Sequence, residues 1–218
     1  MPDFHTKRCC ADLGLSGRFR MPGPADPIVD VADDMAAWPD NDPIERNLGV
    51  AWHEAGHAVA FSLLGVAVVN VEIDPLQICR RSLPDSLEAA DAEFYRADVI
   101  ATLAGPIGNA WLARCRFMPT REELRPFVEA IGKSAGGRCD HCQAARSARR
   151  WLGGQPSAEE ITAALQHLHE EATALVTSRL GALAIMDIAD GLMHDGRLSG
   201  EEVRSTIDQR KRQLGEET

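Results

Sequence analysis

No cluster of lysine and arginine interleaved with aromatic residues occurs anywhere in these 218 residues, and the net charge is −10. The electrostatic footprint of a nucleic-acid binder is therefore missing. Long apolar runs are missing too. The uncharged stretch Ala58 to Val71 has 14 residues and contains Ser62 and Asn70. A membrane span needs about 20 apolar residues, so none is expected. The opening residues, Met-Pro-Asp-Phe-His, carry no apolar core of a secretion signal. The six cysteines, at 9, 10, 79, 115, 139 and 142, form no secreted disulfide framework. These absences make a reducing, cytoplasmic setting the expectation. A phosphate loop is excluded as well. Gly132-Lys-Ser resembles its end, but Phe127 stands where the first glycine is required.

What is present suits a globular chain. The hydrophobic fraction of 44% permits a sizeable core. Residues 1–42 hold Pro22, Pro24, Pro27 and Pro39 and no sustained period, so they read as an irregular tail. Cys9 and Cys10 read there as solvated thiols. Residues 43–214 read as one mainly α domain with a small β element. Helices are expected over 43–64, 92–116, 120–132, 139–152, 157–178, 180–194 and from 199 onward. Gly105-Pro106 is expected to kink the second of these, and Pro126 weakens the third. Ser157 to Glu160 and Ser199 to Glu202 have the spacing of capping boxes. The β-branched run 66–74 reads as the one substantial strand. Residues 76–91 read as a surface loop beside the cleft, His167 and His169 as exposed, and the charged end from Arg210 as frayed.

The stretch that carries chemistry is Trp52-His-Glu-Ala-Gly-His-Ala-Val. On a helix, His53 and His57 lie one turn apart on one face. Two such imidazoles can bind one zinc ion, and Glu54 can take a proton from a water beside it. A chance match on an amphipathic helix is the competing reading. The context speaks against it: Asp42 can cap the helix, Pro43 suits its first position, Glu45 fits a capping box and Gly65 can end it. A buried helix with two histidines and a glutamate also needs a polar partner, which a metal supplies. Position 63 is leucine, so the pattern with a third histidine six residues on is excluded. The third ligand has to come from elsewhere.

The same stretch resembles the zinc motif of the FtsH-type ATP-dependent metallopeptidases. Three further segments follow in the family's order. Val99-Ile-Ala-Thr-Leu-Ala-Gly105-Pro-Ile is similar to its buried Leu-Ala-Gly helix, with Gly108-Asn109 where an Ala-Glu pair is usual. Cys139-Asp140-His-Cys-Gln-Ala144 resembles the helix whose aspartate completes the zinc site. Leu198-Ser-Gly-Glu-Glu202-Val resembles the closing segment. The likeness covers roughly residues 44–210 and extends to neither an ATPase module nor a membrane anchor. It implies zinc on His53, His57 and Asp140, with Glu54 as the base. On its own residues Asp140 reads as a helix cap, with Gln143 completing a capping box. His141, Cys139 and Cys142 compete with it as ligands, and Cys-x-x-Cys is itself a zinc or redox pattern that lacks a second pair here.

Zinc-dependent hydrolysis of short or already unfolded polypeptides is the expected function. An ATPase acting in trans would extend it to folded substrates, and self-association is compatible with the pattern. The alternative is a non-enzymatic, zinc-stabilised adaptor or regulator, which would close the metal's fourth position with Cys139, Cys142 or His141.

Overall fold

The computed structural model describes residues 20–21, 29–30, 43–73, 78–82, 91–112, 120–132 and 139–215. The expected irregular tail lies outside the described residues, apart from a short antiparallel ladder of β1 (Arg20–Met21) and β2 (Val29–Asp30). Asp42, Cys9, Cys10 and Cys115 also lie outside them, as do the rest of the 76–91 loop and the Lys133-Ser134 pair.

From residue 43 the order is α1 (Pro43–Leu63), β3 (Val68–Glu72), β4 (Ile78–Arg81), α2 (Ala92–Leu112), α3 (Arg121–Gly132) and α4 (Asp140–Leu152). It continues with α5 (Ala158–Thr177), α6 (Arg179–Asp195), β5 (Arg197–Ser199) and α7 (Gly200–Leu214). The architecture is mainly α with a small three-stranded sheet. No single helix among the described residues is long and apolar enough to cross a membrane.

Helix α2 is the centre of the packing. Every residue from Ala97 to Gly105 is buried, as a helix enclosed on all sides requires. Helices α1, α4 and α5 pack around it. Its small residues let neighbours approach closely. A Cβ on Gly56 of α1 would stand 2.5 Å from the Ala104 carbonyl oxygen of α2. The two backbones are therefore nearly in contact there. Pro106 does not interrupt α2, which runs on to Leu112.

The capping boxes form as their spacing predicts. Ser157 Oγ accepts from Glu160 N at 3.2 Å while Glu160 Oε2 accepts from Ser157 N at 2.7 Å. Ser199 and Glu202 repeat the arrangement at α7. Gly65, with φ +78°, closes α1, again as its residue type predicts.

Four sequence expectations are corrected. First, β3 is not the one strand. It is the centre of a sheet in the order β4-β3-β5, antiparallel on both sides. Val71 pairs with Cys79 on one side and with Leu198 on the other. Second, part of the 76–91 segment is therefore strand. Ile-Cys-Arg-Arg shows no alternation, and only pairing with β3 makes it extended. Third, the C-terminal end does not fray at Arg210. The Arg210 guanidinium grips the Asp187 carboxylate of α6, and α7 continues to Leu214.

Fourth, His169 is buried, at 1% exposure, on the face of α5 that carries Leu165, Leu168, Ala172 and Val176. Only its neighbour His167 is exposed, beside Glu171 at 3.2 Å. Burial, with the His141 charge behind it, pushes the His169 pKa down from 6.5 to about 4. Below pH 6.5 the unfolded chain binds a proton here that the folded chain refuses until about pH 4. Stability is therefore expected to fall as pH drops through that window, by at most about 3 kcal/mol from this group. Urea unfolding at pH 7 and pH 4.5 checks this. The His169→Gln variant should lose less stability between the two than the native chain. An equal loss in both would assign the acid sensitivity elsewhere.

Candidate metal centre

Helix α1 presents His53 and His57 side by side. Their rings meet edge-on, with centroids 4.7 Å apart, and their Nε2 atoms are 3.1 Å apart. The next helix fixes His57. Its Nδ1 lies 2.8 Å from the carbonyl oxygen of Ala101 on α2. A carbonyl can only accept, so Nδ1 carries the proton and donates. In the neutral ring Nε2 is then a bare lone pair, 3.1 Å from His53 Nε2. This is the arrangement that readies an imidazole for a cation.

Helix α4 delivers the third group. The residue that caps α4 is Cys139, with φ −68° and ψ 159° and no side-chain capping bond. Asp140 follows at the first helical position, so the cap reading of Asp140 is corrected. Its carboxylate points at the histidines instead, with Oδ2 at 3.1 Å from His53 Nε2 and Oδ1 at 3.7 Å from His57 Nε2. Burial opposes the charge on Asp140. The charge and hydrogen bond of His53 overcome it, with His57 and His141 adding, and hold the carboxyl well below the usual carboxylate range.

His53, His57 and Asp140 thus form a group that could hold a metal ion, their ligand atoms all within 4.8 Å of one another. The spacing fits a tetrahedral ion. Ligands at about 2.0–2.1 Å around zinc are separated by about 3.3 Å, and the three separations here are 3.1, 3.1 and 3.7 Å. The chemistry fits as well. One proton on His53 can serve only one of the facing acceptors at a time, whereas a cation serves all of them. The side chains of His53 and Asp140 are 26% and 24% exposed, so the group opens to solvent.

Gly105 of α2 is part of the site through what it lacks. A Cβ there would stand 2.3 Å from His57 Nε2 and 2.4 Å from Cε1. Sequence reasoning took Gly105 for a kink beside Pro106. Its value is the space it leaves, which spacing within one helix does not reveal.

Glu54 is 7% exposed. No hydrogen-bond donor among the described residues occupies its carboxylate. Cys79 of β4 stands close enough that burial first, and the Glu54 charge second, push its thiol pKa far up. Strand β4 therefore comes within electrostatic reach of Glu54, which composition and spacing gave no sign of. Cys139 and Cys142 are both buried and form no disulfide among the described residues. Neither they nor His141 joins the ligand group among the described residues.

The chain matches no family model and no curated protein.

Proposed function

We propose that residues 43–214 form a zinc-dependent metalloendopeptidase of the FtsH-peptidase type that hydrolyses short or unfolded polypeptides in the cytoplasm. The observation that carries this reading is the pairing of two features. Two histidines and a carboxylate converge at tetrahedral spacing, and a buried glutamate with no hydrogen-bond donor on its carboxylate among the described residues directly follows the first histidine. Zinc, when bound, lowers the pKa of a water to about 7 and polarises the peptide carbonyl. The chain's own residues do the rest. His57, its tautomer set by Ala101, and His53 offer neutral nitrogens, and Asp140 offers negative charge. Glu54 accepts a proton from the attacking water at a carboxylate oxygen and returns it to the departing amine. Burial keeps the Cys79 thiol protonated, so it does not compete with Glu54 as a base.

The adaptor reading needs a fourth protein ligand, and the group holds three among the described residues. Three protein ligands are the pattern of catalytic zinc, which keeps one position for water or substrate. An ATPase acting in trans would supply the unfolding force that this reading assigns to no residue of the domain.

Zinc analysis combined with a casein-digestion assay tests the proposal. About one zinc per chain and chelator-sensitive hydrolysis are expected. Asp140→Asn should weaken zinc binding by about 10-fold or more, because an amide is a poorer ligand than a carboxylate. As a helix cap it would be nearly silent, since Asn caps as well as Asp. A protein that binds zinc fully but digests nothing would remove the peptidase reading.

A further inference from the structure

Asp98 of α2 is 4% exposed, and the metal site makes no use of it. A carboxylate so deeply buried needs partners. It has two, from different elements. Its Oδ2 accepts from Ser147 Oγ of α4 at 2.6 Å. Its Oδ1 lies 2.5 Å from Arg81 Nη2 of β4. The Arg81 guanidinium in turn lies over the Phe61 ring of α1, 5.0 Å from its centroid. One buried carboxylate thus joins α1, α2, α4 and β4.

The registers of these partners lead to the metal centre. Ser147 is two turns beyond Asp140, so both lie on one face of α4. Phe61 is one turn beyond His57 on α1. On α2, Asp98, Ala101 and Gly105 recur at i, i+3 and i+7, a single stripe. That stripe anchors α4, orients the His57 ring and makes room for it, in that order along the helix. Asp140 sits at the N-terminal end of α4. Ser147 to Asp98 is a polar tie from the α4 face of Asp140 back to the helix that orients His57.

The geometry points to Asp98 and Ser147 as positioning residues that set the reach of Asp140 toward His53 and His57. This inference rests on the metal reading of those three residues. A buried ion pair adds little net stability but can impose one arrangement of the elements it joins. Here that arrangement brings the third ligand to the other two.

A double-mutant cycle on zinc affinity tests it, with affinities measured by chelator competition on the full chain. Ser147→Ala is expected to weaken zinc binding by about 10-fold, the scale seen when a support behind a ligand is removed. In the Asp140→Asn background the same change should move affinity by no more than about twofold, since the residue it positions no longer ligates well. Equal losses in both backgrounds would overturn the inference and mark Ser147 as a general packing residue. No loss in either would overturn it too. If Asp140→Asn alone left zinc affinity unchanged, the metal reading itself would fall, and the inference with it. Should the alanine variant not fold, Ser147→Cys carries the same cycle, because it keeps the volume and donates only weakly.

Discussion

Glu54→Gln is expected to keep zinc and the helical fold while lowering peptide hydrolysis by about 10²- to 10⁴-fold, the usual contribution of a positioned general base. The amide is nearly isosteric with the carboxylate, so the packing around position 54 changes little. No described hydrogen-bond donor depends on the carboxylate, so no structural bond is lost with it. What is lost is basicity. The measurement is zinc stoichiometry, circular dichroism and kcat/KM on an unfolded substrate, for both proteins side by side. Hydrolysis within a few-fold of the native rate, with zinc retained, would show that the proton goes elsewhere.

Gly105→Ala should have the largest effect on the metal. The new Cβ would lie 2.3 Å from His57 Nε2, 2.4 Å from Cε1 and 2.8 Å from Cδ2. No real methyl carbon sits that close, so the ring must swing away. Doing so breaks its bond to the Ala101 carbonyl and takes Nε2 out of line with His53 and Asp140. Zinc affinity is expected to fall by about 100-fold or more, at or beyond the upper end of what loss of ligand orientation costs. The helix itself gains, because alanine is favoured over glycine in a helix interior by about 1 kcal/mol. Crowding around the methyl opposes that gain by about 1–3 kcal/mol. Metal-free stability should therefore change far less than metal affinity. The check is a zinc titration and a metal-free thermal melt on the same variant. Native zinc affinity in Gly105→Ala would mean that His57 does not use Nε2 toward a metal.

The division between what spacing reveals and what packing decides runs through single residues. The shared face of His53 and His57 follows from a four-residue interval and the pitch of a helix, and it is legible without a neighbour. The capping boxes at Ser157 and Ser199 are equally local, since both partners lie within one turn. Gly65 ends α1 because its own backbone tolerates positive φ. For the same reason of locality, the long helices stand where their apolar periods put them.

Everything that turns these residues into a site is long-range. The tautomer of His57 depends on a backbone carbonyl 44 positions away, and a carbonyl is the same for every residue type, so no side-chain pattern announces it. On its own residues Asp140 reads as a helix cap. Only the placement of α4 against α2, with Cys139 taking the cap, turns its carboxylate to the histidines. The strands β4 and β5 lack periodicity and exist by pairing with β3. His169 looks like an exposed histidine beside His167 until the packing of α5 encloses it. Gly105 looks like a kink along α2. The sequence by itself determined which groups could act together within one helix. The tertiary structure decided which atoms meet, because the contacts that orient a ring, make room for it or bury a charge join residues that no local period relates.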